Sequence, residues 1–164
     1  MKTPYHFKDV GIIAPVSITA IQGGNYNFRS LKDYLHATVV IRCGILTGAA
    51  SAATLQQAKN VEGNGAKALA FTKYWYNVPG ASPQDEQDLW QEVDAASNTF
   101  DVASSTNYRI EIEPAMLDVD NNFDCIRPHL SAPGTSLVAC VYIEFHKPKF
   151  QGLGKKNMHS VAVN

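Results

Sequence analysis

Residues Tyr108-Arg109-Ile110-Glu111-Ile112-Glu113 alternate apolar and charged side chains without a break. Only an extended strand with one buried face can use that period of two. It predicts Tyr108, Ile110 and Ile112 against a core and Arg109, Glu111 and Glu113 toward solvent. Pro114 ends the pairing, because proline has no N–H to donate. Other strand-like runs surround this one: Ala37 to Leu46, Thr54 to Asn60, Ala66 to Val78, Leu89 to Val93, Cys125 to Leu130 and Ser136 to Phe145. Gly63-Asn64-Gly65 supplies the positive φ angles that a hairpin reversal between the second and third needs. Helical periodicity is confined to one short candidate within Ser82 to Ala96. Short strands at intervals of about 8–12 residues, divided by Gly, Pro and Asn turns, predict an all-β chain folded as an antiparallel β-sandwich, jelly-roll-like.

The ends differ from this middle. Residues 1–13 and 148–164 hold turn formers, isolated aromatics and bases without a sustained period, and read as irregular arms around a domain at 14–147. Segments such as Gly152-Leu153-Gly154-Lys155-Lys156 have poor propensity for any regular element. In an assembly, arms of this kind order by packing on neighbours.

Charge constrains partners. A formal net charge of −1 over 164 residues gives no general attraction to nucleic acid. Residues 85–124 nevertheless hold eleven of the fifteen acids against the single base Arg109, while Lys147, Lys149, Lys155 and Lys156 lie in a tail without acids. That asymmetry suits contact between neighbouring subunits, or between the two regions of one chain. No window approaches the roughly 20 apolar residues of a membrane span. Met1 to Asp9 lacks the apolar stretch of a secretory signal, so the product is expected to act where it is made or to leave inside a larger particle.

Catalytic and metal signatures are weak. Asp118, Asp120, Asn122 and Asp124 space oxygen ligands on alternate residues, yet an EF-hand would need glycine at Phe123 and glutamate at His129. A turn whose Asp and Asn side chains bond their own backbone is the preferred reading, with a calcium loop as its alternative. His6, His36, His129, His146 and His159 show no metal-ligand spacing. Gly48-Ala49-Ala50-Ser51-Ala52 lacks the second glycine of a nucleophile elbow. Cys43, Cys125 and Cys140 are odd in number and lie in apolar runs, which fits buried free thiols. Tyr74, Trp75, Tyr76 and Trp90 could form a stacking platform for a glycan, though aromatics at strand spacing usually pack in a core or interface. No enzyme activity and no cofactor are expected.

Three blocks carry a family resemblance. Met116-Leu117-Asp118-Val119-Asp120-Asn121-Asn122-Phe123-Asp124-Cys125-Ile126-Arg127 resembles a segment of small structural proteins of tailed bacteriophages, in which an apolar strand runs into a leucine-aspartate-valine-aspartate turn. Thr54 to Ala58 followed by Gly65 to Phe71 resembles that family's central hairpin. Leu31 to Ile41 resembles its lead-in to a long strand, with Asp33 where asparagine is usual. The resemblance spans roughly residues 16–147.

It implies a capsid decoration (cement) or minor capsid protein on the virion surface, made in the host cytoplasm. The implied partners are the phage major capsid protein and further copies of the chain, as a homodimer or homotrimer, with no direct nucleic-acid or membrane contact. Tyr5, Phe7, Ile12, Lys147, Lys149, Phe150, Leu153, Lys155 and Lys156 are the expected capsid or subunit contacts. The alternatives are a glycan-binding sandwich on the virion and a connector or tail component.

Overall fold

Tyr34–Thr47 forms the longest strand, β3, and its odd residues Ala37, Val39, Ile41 and Cys43 are buried in the core. The computed structural model describes residues 10–17, 28–47, 51–79, 90–95, 98–131 and 136–149. The other strands are β1 (Val10–Ser17), β2 (Arg29–Ser30), β4 (Ser51–Ala58), β5 (Lys67–Leu69), β6 (Lys73–Asn77), β7 (Gln91–Asp94), β8 (Thr99–Val102), β9 (Asn107–Ile112), β10 (Cys125–Leu130) and β11 (Ser136–Pro148). Two single-turn 3-10 helices, Pro114–Met116 and Val119–Asn121, connect β9 to β10.

The strands form two antiparallel sheets, one in the order β1-β11-β3-β9-β6-β7 and the other β2-β10-β4-β5. Strand β8 joins the second sheet by pairing with Ser51 to Thr54 of β4, ahead of the β5 pairing at Leu55 to Gln57. The sheets share one core. Val39 lies between Ile110 and Ile143 in the ladder, and Ile41 between Tyr108 and Val141. Leu55, Leu69, Ile126, Leu130, Phe100 and Val102 face them from the second sheet. Burial of each such aliphatic side chain favours folding by about 1.5–3 kcal/mol. The chain is therefore an antiparallel β-sandwich, as its alternation predicts.

Several local expectations need correction. Ala66 to Val78 is two strands in different sheets: the chain crosses the sandwich at Ala70 to Thr72, where Phe71 is buried edge-on to Phe100. One aromatic core residue thus substitutes for a continuous strand. Residues 91–94 are strand, in keeping with the Leu89 to Val93 run and against the helix candidate, and are held by pairing with β6; the part of both candidates before Trp90 lies outside the described residues. Strand pairing also reaches beyond the expected domain limits. β1 starts at Val10 opposite Glu144, and β11 continues to Pro148 opposite Tyr34. Backbone pairing needs no apolar period, so composition alone did not mark those residues.

The aspartate-rich turn closes differently from expectation. Backbone bonds from Asn121 and Phe123 to the Asp118 carbonyl make the reversal. The Asp118 carboxylate holds Lys67 and the Asn121 side-chain amide, and Gln57 Oε1 accepts the Asp118 N–H at 2.9 Å. Gln57 is buried and also donates to the Ala68 carbonyl at 3.2 Å. Both ends of its amide are thereby satisfied inside the protein, as burial of a polar group requires.

Candidate interaction face

In the middle of β3, His36, Thr38 and Arg42 lie on the side away from the core, and the ladder places acids and histidines beside them. His36 lies opposite His146, and Thr38 is flanked by Glu144 and Glu111. Glu111 Oε2 takes two bonds, from Thr38 Oγ1 at 2.6 Å and from His36 Nε2 at 2.7 Å. Thr38 Oγ1 also lies 3.2 Å from His146 Nε2, which is 3.8 Å from Glu144 Oε2.

Proton inventory orders this chain. An ionised carboxylate only accepts, so His36 carries its proton on Nε2. Thr38 has one proton and gives it to Glu111, so its oxygen accepts from His146 Nε2–H. These tautomers follow from the hydrogen-bond network. Thr38 is itself 8% exposed, and its partners His36, Glu111 and His146 are half-buried.

Beside this network the Arg109 guanidinium lies between two indoles, 5.3 Å from the Trp75 ring and 5.1 Å from Trp90. Arg109 Nε is buried without a hydrogen-bond partner, and the nearest carboxylate oxygen, Glu111 Oε1, is 3.5 Å away. Attraction between the cation and the two ring faces offsets part of its desolvation. Lys73 and Glu92 pair across β6 and β7 on the same sheet. Arg109 and Glu111, expected simply to face solvent, are thus half-buried parts of a lateral polar layer.

The predicted aromatic platform is divided by strand alternation. Tyr74 stacks on Phe100 at 4.1 Å and Tyr76 packs toward Tyr108 at 6.5 Å, so both belong to the core side. Trp75 alone of the three joins Trp90 on the outer side.

The expected contact residues fall into two groups. Lys147 and Lys149 are exposed at the end of β11. Lys147 takes a left-handed φ of 52°, and the Lys149 N–H donates to the Asp33 carbonyl at 2.8 Å, anchoring the chain beside the turn before β3. Ile12 lies in β1, at the register opposite Tyr142. Tyr5, Phe7, Phe150, Leu153, Lys155 and Lys156 lie outside the described residues.

No combination of described side chains assembles a familiar reactive centre. Thr38 Oγ1 donates to a carboxylate, as an activated hydroxyl would, but the residue is only 8% exposed, which leaves a substrate little access to it. The thiols of Cys43 and Cys125 are both pushed up to about 12, chiefly by burial, which leaves them protonated and unreactive at neutral pH. Among the described residues no group of three or more His, Cys, Asp or Glu side chains is arranged to hold a metal. The aspartates of the 118–124 turn do not converge, since Asp118 is engaged by Lys67 and Asp124 Oδ1 by the Cys125 thiol at 2.9 Å.

The network on β3, β9 and β11 and the Trp75-Arg109-Trp90 stack were not recognised in the sequence. Directly bonded members are as many as 108 positions apart, and only ladder register brings them together. Neither a family model, a curated protein nor a solved structure matches the chain.

Proposed function

We propose that this chain is a virion structural protein that binds the outside of a tailed-phage capsid and reinforces contacts between major capsid subunits. The observation that carries the reading is the role of the Met116 to Arg127 segment, where the resemblance is strongest. Leu117 and Phe123 are buried, Asp118 is tied to Gln57 and Lys67, and Cys125 begins a strand. These residues of the block serve architecture, which supports a structural role.

The mechanism is mechanical. A rigid sandwich sits across subunit junctions, and weak contacts from several segments combine through avidity. Lys147 and Lys149 are the exposed first bases of the basic tail sequence, and that tail is the proposed capsid-binding segment.

The test is to mix purified protein with capsids that lack it and to image the particles by electron cryomicroscopy. Ordered density at symmetry axes is the expected result. Deleting residues 150–164, past the paired end of β11 and its bond to Asp33, should reduce occupancy while leaving the far-ultraviolet circular dichroism of the domain intact. Bare capsids with the full-length protein would overturn the reading and favour a tail or connector location.

A further inference from the structure

A β-sandwich must do something with its edge strands, because their unpaired backbone groups will pair with any suitable strand. Among the described residues, five strands border open edges: β1 and β7 in the larger sheet, β2, β5 and β8 in the smaller. Four of these are two to four residues long and carry charge of a single sign. β2 has Arg29, β5 has Lys67, β7 has Glu92 and Asp94, and β8 has Asp101.

β1 is the exception. It is eight residues long, Val-Gly-Ile-Ile-Ala-Pro-Val-Ser, with no charged residue. Its own ladder with β11 is regular from Val10 to Ile13; a register shift then sets Ala14 and Pro15 out of line before pairing resumes at Val16. Proline and an irregularity protect one half of the edge, and Val10 to Ile13 is left as a pairing template.

We infer that Val10 to Ile13 pairs with the same segment of a second copy, antiparallel about a two-fold axis, making the six-stranded sheet continuous across a dimer. Self-pairing brings like residues near one another. The acids of β7 and β8, and the bases of β2 and β5, would therefore repel their symmetry mates, whereas β1 can meet itself in any register without repulsion. A foreign strand would gain no such advantage from the absence of charge. This deepens the homo-oligomeric part of the reading above, but dimerisation is measured on isolated protein and does not depend on capsid binding.

The test uses the full-length chain in analytical ultracentrifugation across a dilution series. The wild type should dimerise. Ile12→Lys, in the middle of the regular stretch opposite Tyr142, should weaken association at least tenfold, as should Ile12→Glu; mixing the two variants should restore it. Hydrogen exchange on the wild type gives a second readout that needs no variant: protection of the Val10 to Ile13 amides should rise with protein concentration. Self-pairing is overturned if dimers form unimpaired in both variants. It is equally overturned if those amides stay protected in a monomer at every concentration, since another segment of the chain would then cover the edge. Protection acquired only on adding capsids would assign the edge to the capsid instead.

Discussion

Thr38 gives its only hydroxyl proton to Glu111 across the β3–β9 ladder, at 2.6 Å. That bond joins two histidines, 5.5 Å apart between ring centroids, to one carboxylate. Together with the Thr38–His146 contact it cross-links β9, β3 and β11 by side chains as well as backbone.

Removing either member should therefore destabilise the fold. Thr38→Val keeps the β-branch but deprives Glu111 of a donor and His146 of an acceptor. Glu111→Gln removes the charge that His36 and Thr38 bind. Each is expected to cost about 1–3 kcal/mol in urea unfolding, with an unchanged slope, in keeping with hydrogen bonds to a charged group. The double variant should cost less than the sum, because both changes break the same bond.

The β4–β5 turn offers a sharper steric test. Gly63 has φ of +88°, and a Cβ there would lie 2.9 Å from the buried Phe28 ring. Gly65 is also left-handed, at +66°, but its Cβ would make only ordinary contacts. Ala at either position meets the left-handed penalty of roughly 1–2 kcal/mol, and Gly63→Ala must also displace Phe28. Its loss of thermal stability should exceed that of Gly65→Ala.

Acidification should weaken the protein in two stages. His129 is held below its ordinary 6.5, first by burial and then by Arg127. The unfolded chain thus binds that proton first, and stability falls as pH drops below about 6.5. Asp118 is held below its ordinary 3.8, chiefly by the hydrogen bond from Lys67 and then by Asn121. Its contribution is complete above that pH and is lost as pH falls through the lower folded value. Melting temperature against pH checks both: His129→Gln should flatten the upper stage and Asp118→Asn the lower.

Thiol chemistry should be selective. Cys43 and Cys125 are buried, whereas Cys140 is half-buried in the row that includes Arg42. A disulfide reagent should therefore label Cys140 first in the native protein and all three thiols in guanidinium. Cys140→Ser should abolish the fast phase and leave the slow one.

The sequence by itself determined the class of fold. Alternation at Tyr108 to Glu113 placed Tyr108, Ile110 and Ile112 inside, and Cys125 to Leu130 matches β10 at both ends. Such features are local, because a strand's side chains alternate whatever pairs with it. Tertiary structure decided the rest. Whether Ala66 to Val78 stayed in one sheet depended on Phe71 filling the core. Whether Trp75 met Arg109, and His36 met His146, depended on which strands became neighbours and in what register. A slip of one residue in β9 would turn Glu111 into the core and dismantle the network. Register is set by the simultaneous burial of both sheets' inner rows, an energy shared by residues far apart in the chain, and no single stretch of sequence contains it.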